Sequence, residues 1–222
     1  MKKVLVIFFI LIFAFSLNGC VDKQPSTIPK SDQESTTSEH LKYGIPSSNG
    51  KMIVRTGFAL LHDKEKKEPL WVSYHLTADN LNAPQLKRKN VFTPDPEIAL
   101  GDRAELSDYR GSGFDRGHMC PNADQAWSAL TMKECFYLSN MCPQLHSLNA
   151  GKWGSLESKI RVFVKKQGEA WVVCGPVFDK VRSNINTIGN NKVWVPTGFL
   201  RSLFTKQKKA LKRLDTKCHI RT

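Results

Sequence analysis

Two polar blocks, FDRGHMCPNAD at positions 114–124 and SNMCPQLHSLNAGKWGSLE at 139–157, constrain this 222-residue chain more than any other feature. The first sets a carboxylate (Asp115), a guanidinium (Arg116) and an imidazole (His118) within four residues. Gly117, between the last two, lets the backbone turn or pack closely. In the second block Asn149 opens a predicted helix, and Trp153, Glu157 and Arg161 follow at intervals of four. Residues four apart share a helix face, so these four predict one polar stripe carrying a single aromatic ring. A fold that joins the two blocks would hold a general base, a metal ligand and an anion clamp in one place.

The chain is long enough for one domain of ordinary size with a buried core plus short extensions. Its formal net charge of +13 would suit a polyanionic partner, but the charge is unevenly spread. The last 22 residues carry +7 and Lys2 and Lys3 another +2, which leaves +4 for positions 20–200. Overall basicity is therefore weak evidence for nucleic-acid binding, and the local motifs must carry the case.

At the N-terminus, Lys2 and Lys3 precede an apolar run from Val4 to Ala14, and then Leu17-Asn18-Gly19-Cys20. This is the pattern of an export signal over residues 1–19, too short for a comfortable membrane span. The ending resembles a bacterial lipoprotein signal, which implies lipidation of Cys20 and an exported, membrane-anchored protein at the periplasmic or cell-surface side. Residues 20–40, rich in Ser, Thr, Pro and charge, read as a flexible tether.

A domain over 41–200 follows. Lys51–Leu61 and Pro69–Leu76 are apolar, β-branched and aromatic, and the charged stretch 63–68 between them predicts an antiparallel pair. Prolines 84, 94 and 96 break any long helix in 77–113. Residues 171–178 and 192–195 read as further strands. There is no internal repeat.

The run Asp115-Arg116-Gly117-His118 with Pro121 resembles the signature of the DNA/RNA non-specific endonucleases, sugar-non-specific nucleases of the ββα-metal type. Asn140 with Pro143-Gln144 is similar to that family's Asn-x-x-Pro-Gln element. Asn149, Trp153, Leu156 and Glu157 are similar to its Asn-x-x-x-Trp-x-x-Leu-Glu element, with Arg161 one turn later. Gly175-Pro176 and Val195-Pro196 match later landmarks. The resemblance implies an α+β fold, with a mixed, mainly antiparallel central sheet, flanking helices and a ββα-metal catalytic core. It also implies cleavage of DNA and RNA with little sequence preference.

The chemistry suits these residue types. Phosphodiester hydrolysis needs an activated water, neutralisation of charge on the phosphorane and help for the leaving 3′-oxygen. His118 is the candidate general base, because a neutral imidazole takes a proton near neutral pH. The resemblance makes Asn149 the direct protein ligand of Mg²⁺, with Mn²⁺ able to substitute; hard oxygen ligands suit either ion. A helix-capping role for Asn149 is compatible with that. Glu157 would hold the water around the ion. Arg88 and Arg161 are candidate phosphate clamps, with Lys87 or Lys89 as alternatives to Arg88. Asp115 and Arg116 support the site, as the resemblance implies, and Asn140 and Gln144 shape the substrate pocket or serve the structure alone. No recognition helix, zinc finger or aromatic base-reading sheet is visible, so phosphate contacts would position nucleic acid without reading it.

Beyond Cys20 there are five cysteines, Cys120, Cys135, Cys142, Cys174 and Cys218. In an exported domain a Cys120–Cys142 bridge would staple the two blocks. The C-terminus, 201–222, departs from the family: it is basic and poorly patterned for a strand. It reads as an amphipathic helix, a disordered tail or a truncated or frame-shifted remnant, the last being favoured, and it would leave the sheet without an edge. Two further readings stay open, a lipid-anchored nucleic-acid-binding protein without catalysis and an inactive nuclease remnant. The joint presence of His118 and Asn149 speaks against the first.

Overall fold

The computed structural model describes residues 38–178 and 185–206, together with the backbone of 211–219. Its strands are β1 (Lys51–Val54), β2 (Ala59–Asp63), β3 (Glu68–Thr77), β4 (Asp115–His118), β5 (Met141–Gln144), β6 (Glu169–Val177), β7 (Thr187–Ile188), β8 (Val193–Trp194), β9 (Gly198–Lys206) and β10 (Leu211–His219). Six of them form one antiparallel sheet in the order β1-β2-β3-β6-β9-β10, while β4–β5 and β7–β8 form separate two-stranded ribbons. Helices α1 (Ala78–Asn82), α2 (Leu106–Tyr109), α3 (Asn122–Gln125) and α4 (Ala129–Cys135) are short, and α5 (Gly154–Gln167) is the main one. This is the α+β fold with a mainly antiparallel sheet that the sequence implied.

Strand alternation divides the sheet into two faces. Val72, Tyr74 and Leu76 of β3, Ala170, Val172 and Cys174 of β6, and Phe199 and Leu203 of β9 pack with Phe136, Trp153, Ile160 and Val164 into the main core. Ile160 and Val164, four apart on α5, are the helix's buried contribution. Gly168 ends that helix at φ 98°, and its N–H reaches Val164 O at 2.8 Å. The opposite face is covered by the N-terminal segment. There Trp171 Nε1 donates to Glu39 O at 2.9 Å and Trp71 Nε1 to Ser47 O at 3.1 Å. The described chain is thus already packed on the sheet at Glu39. The segments read as signal and tether, with Cys20, lie outside the described residues up to position 37.

Several expectations change. The single strand expected over 51–61 is two, β1 and β2, joined by a tight turn in which Arg55 N–H donates to Phe58 O at 2.7 Å. Gly57 permits that turn to pack, since a Cβ there would lie 1.9 Å from Gln125 Oε1. The stretch 63–68 turns as expected, although Glu68 already belongs to β3 and is fully buried. The C-terminal stretch read as unsuited to a strand supplies β9 and β10. These strands pair from Leu211↔Lys206 to His219↔Gly198, so the sheet is not missing its edge. The reading misjudged β9 because its apolar residues alternate on both faces of the sheet and Arg201 interrupts one of them.

The Cys120–Cys142 bridge does not form. Cys120, Cys135, Cys142 and Cys174 are all buried free thiols, with Cys120 and Cys142 at 0% exposure. A thiol-reactive probe should therefore label none of these four in the native protein and all four once it is denatured. Mass spectrometry of the labelled peptides checks this, and native labelling of Cys120 or Cys142 would contradict the packing.

Candidate active site

The ribbon β4–β5 pairs Asp115 with Gln144, Arg116 with Pro143, Gly117 with Cys142 and His118 with Met141. Its register depends on Gly117, where a Cβ would sit 2.1 Å from Gln144 Oε1. The chain leaves β5, makes a wide π-helical turn over Ser147–Trp153 and enters α5. The expected helix starting at Asn149 is thus interrupted: Gly151 adopts φ −96°, ψ −107°, outside the helical region, and the regular helix begins only at Gly154. Such wide turns recur at functional sites because they re-aim side chains. Asn149 precedes the kink, whereas Glu157 and Arg161 follow it. All three still line one cleft of about 580 Å³ together with Arg88, Arg116 and His118. A second cleft of about 590 Å³ shares Arg88, Arg116 and Asn149 and adds Arg110, Phe92 and Phe114.

His118 stands between two aromatic rings, 5.5 Å from Phe92 and 5.0 Å edge-on from Phe136 (centroid distances). Each ring also carries a guanidinium: Arg116 lies 4.2 Å over Phe92, and Arg88 lies 5.3 Å from Phe136. Burial, reinforced by Arg88 and Arg116, lowers the His118 pKa to about 3. The imidazole is neutral throughout the physiological range, as a proton acceptor requires. Its Nε2 is shut off from solvent with no hydrogen-bond partner.

Asp115 organises the opposite wall. Its Oδ2 accepts from Asn149 Nδ2 at 2.9 Å and lies 2.9 Å from His146 Nδ1. Holding the amide nitrogen of Asn149 fixes which way the carboxamide faces. Beside it, Asn122 lines the same cleft with its Oδ1 buried and unpartnered. Among the described residues no group of three or more His, Cys, Asp and Glu gathers. The side-chain oxygens that line the cleft there belong to the carboxamides of Asn122 and Asn149 and the carboxylate of Glu157. Oxygen donors of this kind fit a hard divalent cation.

Beneath the cleft lies a layer that the sequence reading missed. Trp153, expected on the polar stripe, is buried, and its Nε1 donates to His118 O at 3.1 Å, tying the helix entry to the strand that carries the base. Arg201 Nη2 donates to Met119 O at 2.8 Å and to Glu157 Oε1 at 3.2 Å. Arg161 Nη1 donates to Asp124 Oδ1 at 3.1 Å, and Tyr74 Oη to Asp124 Oδ2 at 3.1 Å. Burial pushes the carboxyl pKa values of Glu157 and Asp124 up, and the neighbouring guanidiniums oppose it. Arg201 follows Phe199 and precedes Leu203 at spacing two, a strand period that could have flagged it as inward-facing.

Two residues expected at the substrate do not reach the cleft. Asn140 is fully buried: its Oδ1 accepts from Cys120 N and its Nδ2 donates to Cys120 O and Cys135 O. It clamps the loop after β4. Gln144 is fully buried against Gly117, with neither amide atom hydrogen-bonded. Both therefore act on the ribbon and its loop, not on a ligand.

A ββα-metal unit with a buried imidazole and a carboxamide in one arginine-lined cleft defines the class of protein. Comparison with known proteins specifies it. A model of the DNA/RNA non-specific endonuclease family matches residues 36–219, and the chain belongs to that family. It is 35% identical over 172 residues to human mitochondrial endonuclease G, spanning 74% of this chain and 58% of that protein. It is 36% identical over 171 residues to the mitochondrial nuclease of Saccharomyces cerevisiae, spanning 72% and 52%. To the mitochondrial nuclease EXOG of Xenopus laevis it is 32% identical over 214 residues, spanning 90% and 59%. The chain thus spans between half and three fifths of these relatives. Among solved structures, the crystal structure of the EndoG/EndoGI complex superimposes with a TM-score of 0.75 at 29% identity, covering 81% of this chain and 78% of that one.

These relatives correct one expectation. They carry mitochondrial designations, which overturns the reading of an exported bacterial lipoprotein anchored to a membrane through Cys20. Among the described residues no helix is long and apolar enough to cross a membrane.

Two outcomes are expected. Asp115→Ala should release the Asn149 amide and raise the divalent-metal concentration for half-saturation about tenfold to a hundredfold, measured as the metal-induced rise in the thermal midpoint. The second concerns acid. Burial lowers the pKa values of His40, His62 and His118 in the folded chain, so unfolding takes up protons below the ordinary histidine value of 6.5. The contribution of these histidines is therefore intact above pH 6.5 and falls as the pH drops below it, by up to about 1.4 kcal/mol per pH unit for each fully shifted histidine. The raised carboxyls of Glu68, Asp124 and Glu157 act in the opposite sense. The difference in urea midpoint between the wild type and His62→Gln at pH 7.5, 6 and 5 checks this: it should shrink as the pH falls, and a constant difference would contradict it.

Proposed function

We propose that this domain is a divalent-metal-dependent endonuclease that hydrolyses phosphodiester bonds in DNA and RNA with little regard to sequence. The observation that carries this reading is a single cleft shared by His118, Asn149 and three arginines. Asn149 would hold the ion through its carboxamide oxygen, and Glu157 would orient the surrounding water. Mg²⁺ is the proposed ion, with Mn²⁺ able to replace it. The bound ion supplies Lewis acidity at the phosphate and support for the departing 3′-oxygen.

The chain's own groups do the rest. Arg88, Arg116 and Arg161 line the cleft in which a phosphate would sit. Fixed donors there stabilise charge that develops during reaction more than charge already present. His118 takes the proton of the attacking water. With Nε2 enclosed, the base works through Nδ1, the nitrogen able to face the cleft, in the tautomer that carries its proton on Nε2. A bound phosphate also changes the base. Arg88 and Arg116 help hold the His118 pKa down, and an anion between them opposes that field, so the imidazole gains proton affinity as substrate arrives. Phe92 and Phe136 limit the water that reaches it. Cation-lined clefts of this kind read charge and leave base edges unread.

Supercoiled plasmid is the test. The domain should nick it with Mg²⁺ and stop with EDTA, and His118→Ala should lower the rate about 10²- to 10⁴-fold while DNA binding persists. Raising salt from 50 to 200 mM should weaken binding by orders of magnitude. Cleavage that survives either EDTA or the His118 substitution would sink the mechanism.

A further inference from the structure

We propose that Arg201 is a positioning residue of this site, fixing the distance between the strand that carries the base and the helix that carries Glu157; this rests on the reading of the site given above. Its guanidinium is 2% exposed and bonds to both sides at once through Nη2, to the carbonyl of Met119, next to His118, and to the Glu157 carboxylate. It also lies 4.1 Å over the ring of Trp153, whose indole N–H holds the His118 carbonyl. One side chain therefore touches the backbone just beyond the base, the indole that braces the base and the carboxylate on the helix. Among the described residues no other cation is recorded touching all three.

The arrangement is costly, which separates it from ordinary core packing. Nε and Nη1 of Arg201 are buried without a hydrogen bond to any oxygen or nitrogen, although the Cys174 thiol lies within reach of the guanidinium. A buried donor left unmet is costly, and a well-packed apolar residue at the same place would avoid that. Phe199 and Leu203, the neighbours on the same face of β9, are apolar. A guanidinium set between them is explained by what it holds. Two anions, Asp124 and Glu157, face two cations, Arg161 and Arg201, across this layer, so the fixed carboxylate is balanced without drawing on the phosphate-facing Arg88 and Arg116.

The test separates positioning from stability. Arg201→Lys keeps the charge, but its shorter side chain cannot carry a donor to the place where Nη2 meets both Met119 O and Glu157, and it has no planar face to lay on Trp153. It should raise the Mg²⁺ concentration for half-saturation about tenfold, read from the Mg²⁺-induced shift of the thermal midpoint, and lower kcat in proportion. KM for plasmid should stay within about twofold, because Arg88, Arg116 and Arg161 are untouched. In a Glu157→Gln background the same substitution should add nothing further. Unchanged Mg²⁺ affinity in a folded Arg201→Lys protein, or a full additional loss in the Glu157→Gln background, would overturn the proposal. If Arg201→Lys does not fold, the double variant Arg201→Met with Glu157→Gln removes both charges and decides the matter against Glu157→Gln alone. Equal Mg²⁺ affinity supports positioning through Glu157, and a further drop refutes it. Wild-type nicking tests the nuclease reading by itself, whereas the Mg²⁺ affinities test Arg201 whether or not the wild type cleaves.

Discussion

Two carboxylates and two guanidiniums, Asp124 with Arg161 and Glu157 with Arg201, sit under the cleft and tie its parts together. Taking four charges out of water is expensive, and their mutual attraction only roughly offsets that cost. The layer is thus poor evidence for stability and better understood as a means of specifying position. Asp124 comes from the short helix after His118, Glu157 and Arg161 from α5, and Arg201 from β9. Three segments distant in sequence are forced into one arrangement, because any other leaves a charge buried alone.

The polar groups that line the two clefts were legible in the sequence. Asp115, Arg116, His118, Asn149, Glu157 and Arg161 stand at spacings that local structure maps onto a ribbon and a helix, and short-range periodicity is what a sequence displays most directly. Gly151 was the exception within that block. Its non-helical conformation could not be anticipated from spacings of four, and it moved the start of the helix past Asn149. Asn140 and Gln144 were placed in the right region with the wrong orientation. Polar side chains near a site are read as facing a ligand, and only packing shows that one clamps a loop and the other lies against Gly117.

The layer beneath was not legible, for a different reason. Asp124 lies on a four-residue helix, too short for any periodic signal. Trp153 was read as part of a stripe because it shares the spacing of Asn149 and Glu157, yet burial of its ring sets its role. Arg201 was hidden by composition. It opens a basic stretch whose net charge drew attention away from the alternation of Phe199, Arg201 and Leu203 with Leu200, Ser202 and Phe204.

That alternation makes sheet register a determinant of the site. Side-chain period in a strand is two, so a slip of one residue in β9 would turn Leu200 and Ser202 toward the cleft and carry Arg201 to the opposite face. The pairing of Cys174 with Arg201 excludes the slip. It is pinned in turn by β6, where Gly175 approaches the neighbouring strand so closely that a Cβ would lie 2.5 Å from Leu70 O. The register of β9 on β6 thus decides which face of the sheet carries a buried cation. Through that cation it bears on where α5 stands relative to the strand of His118.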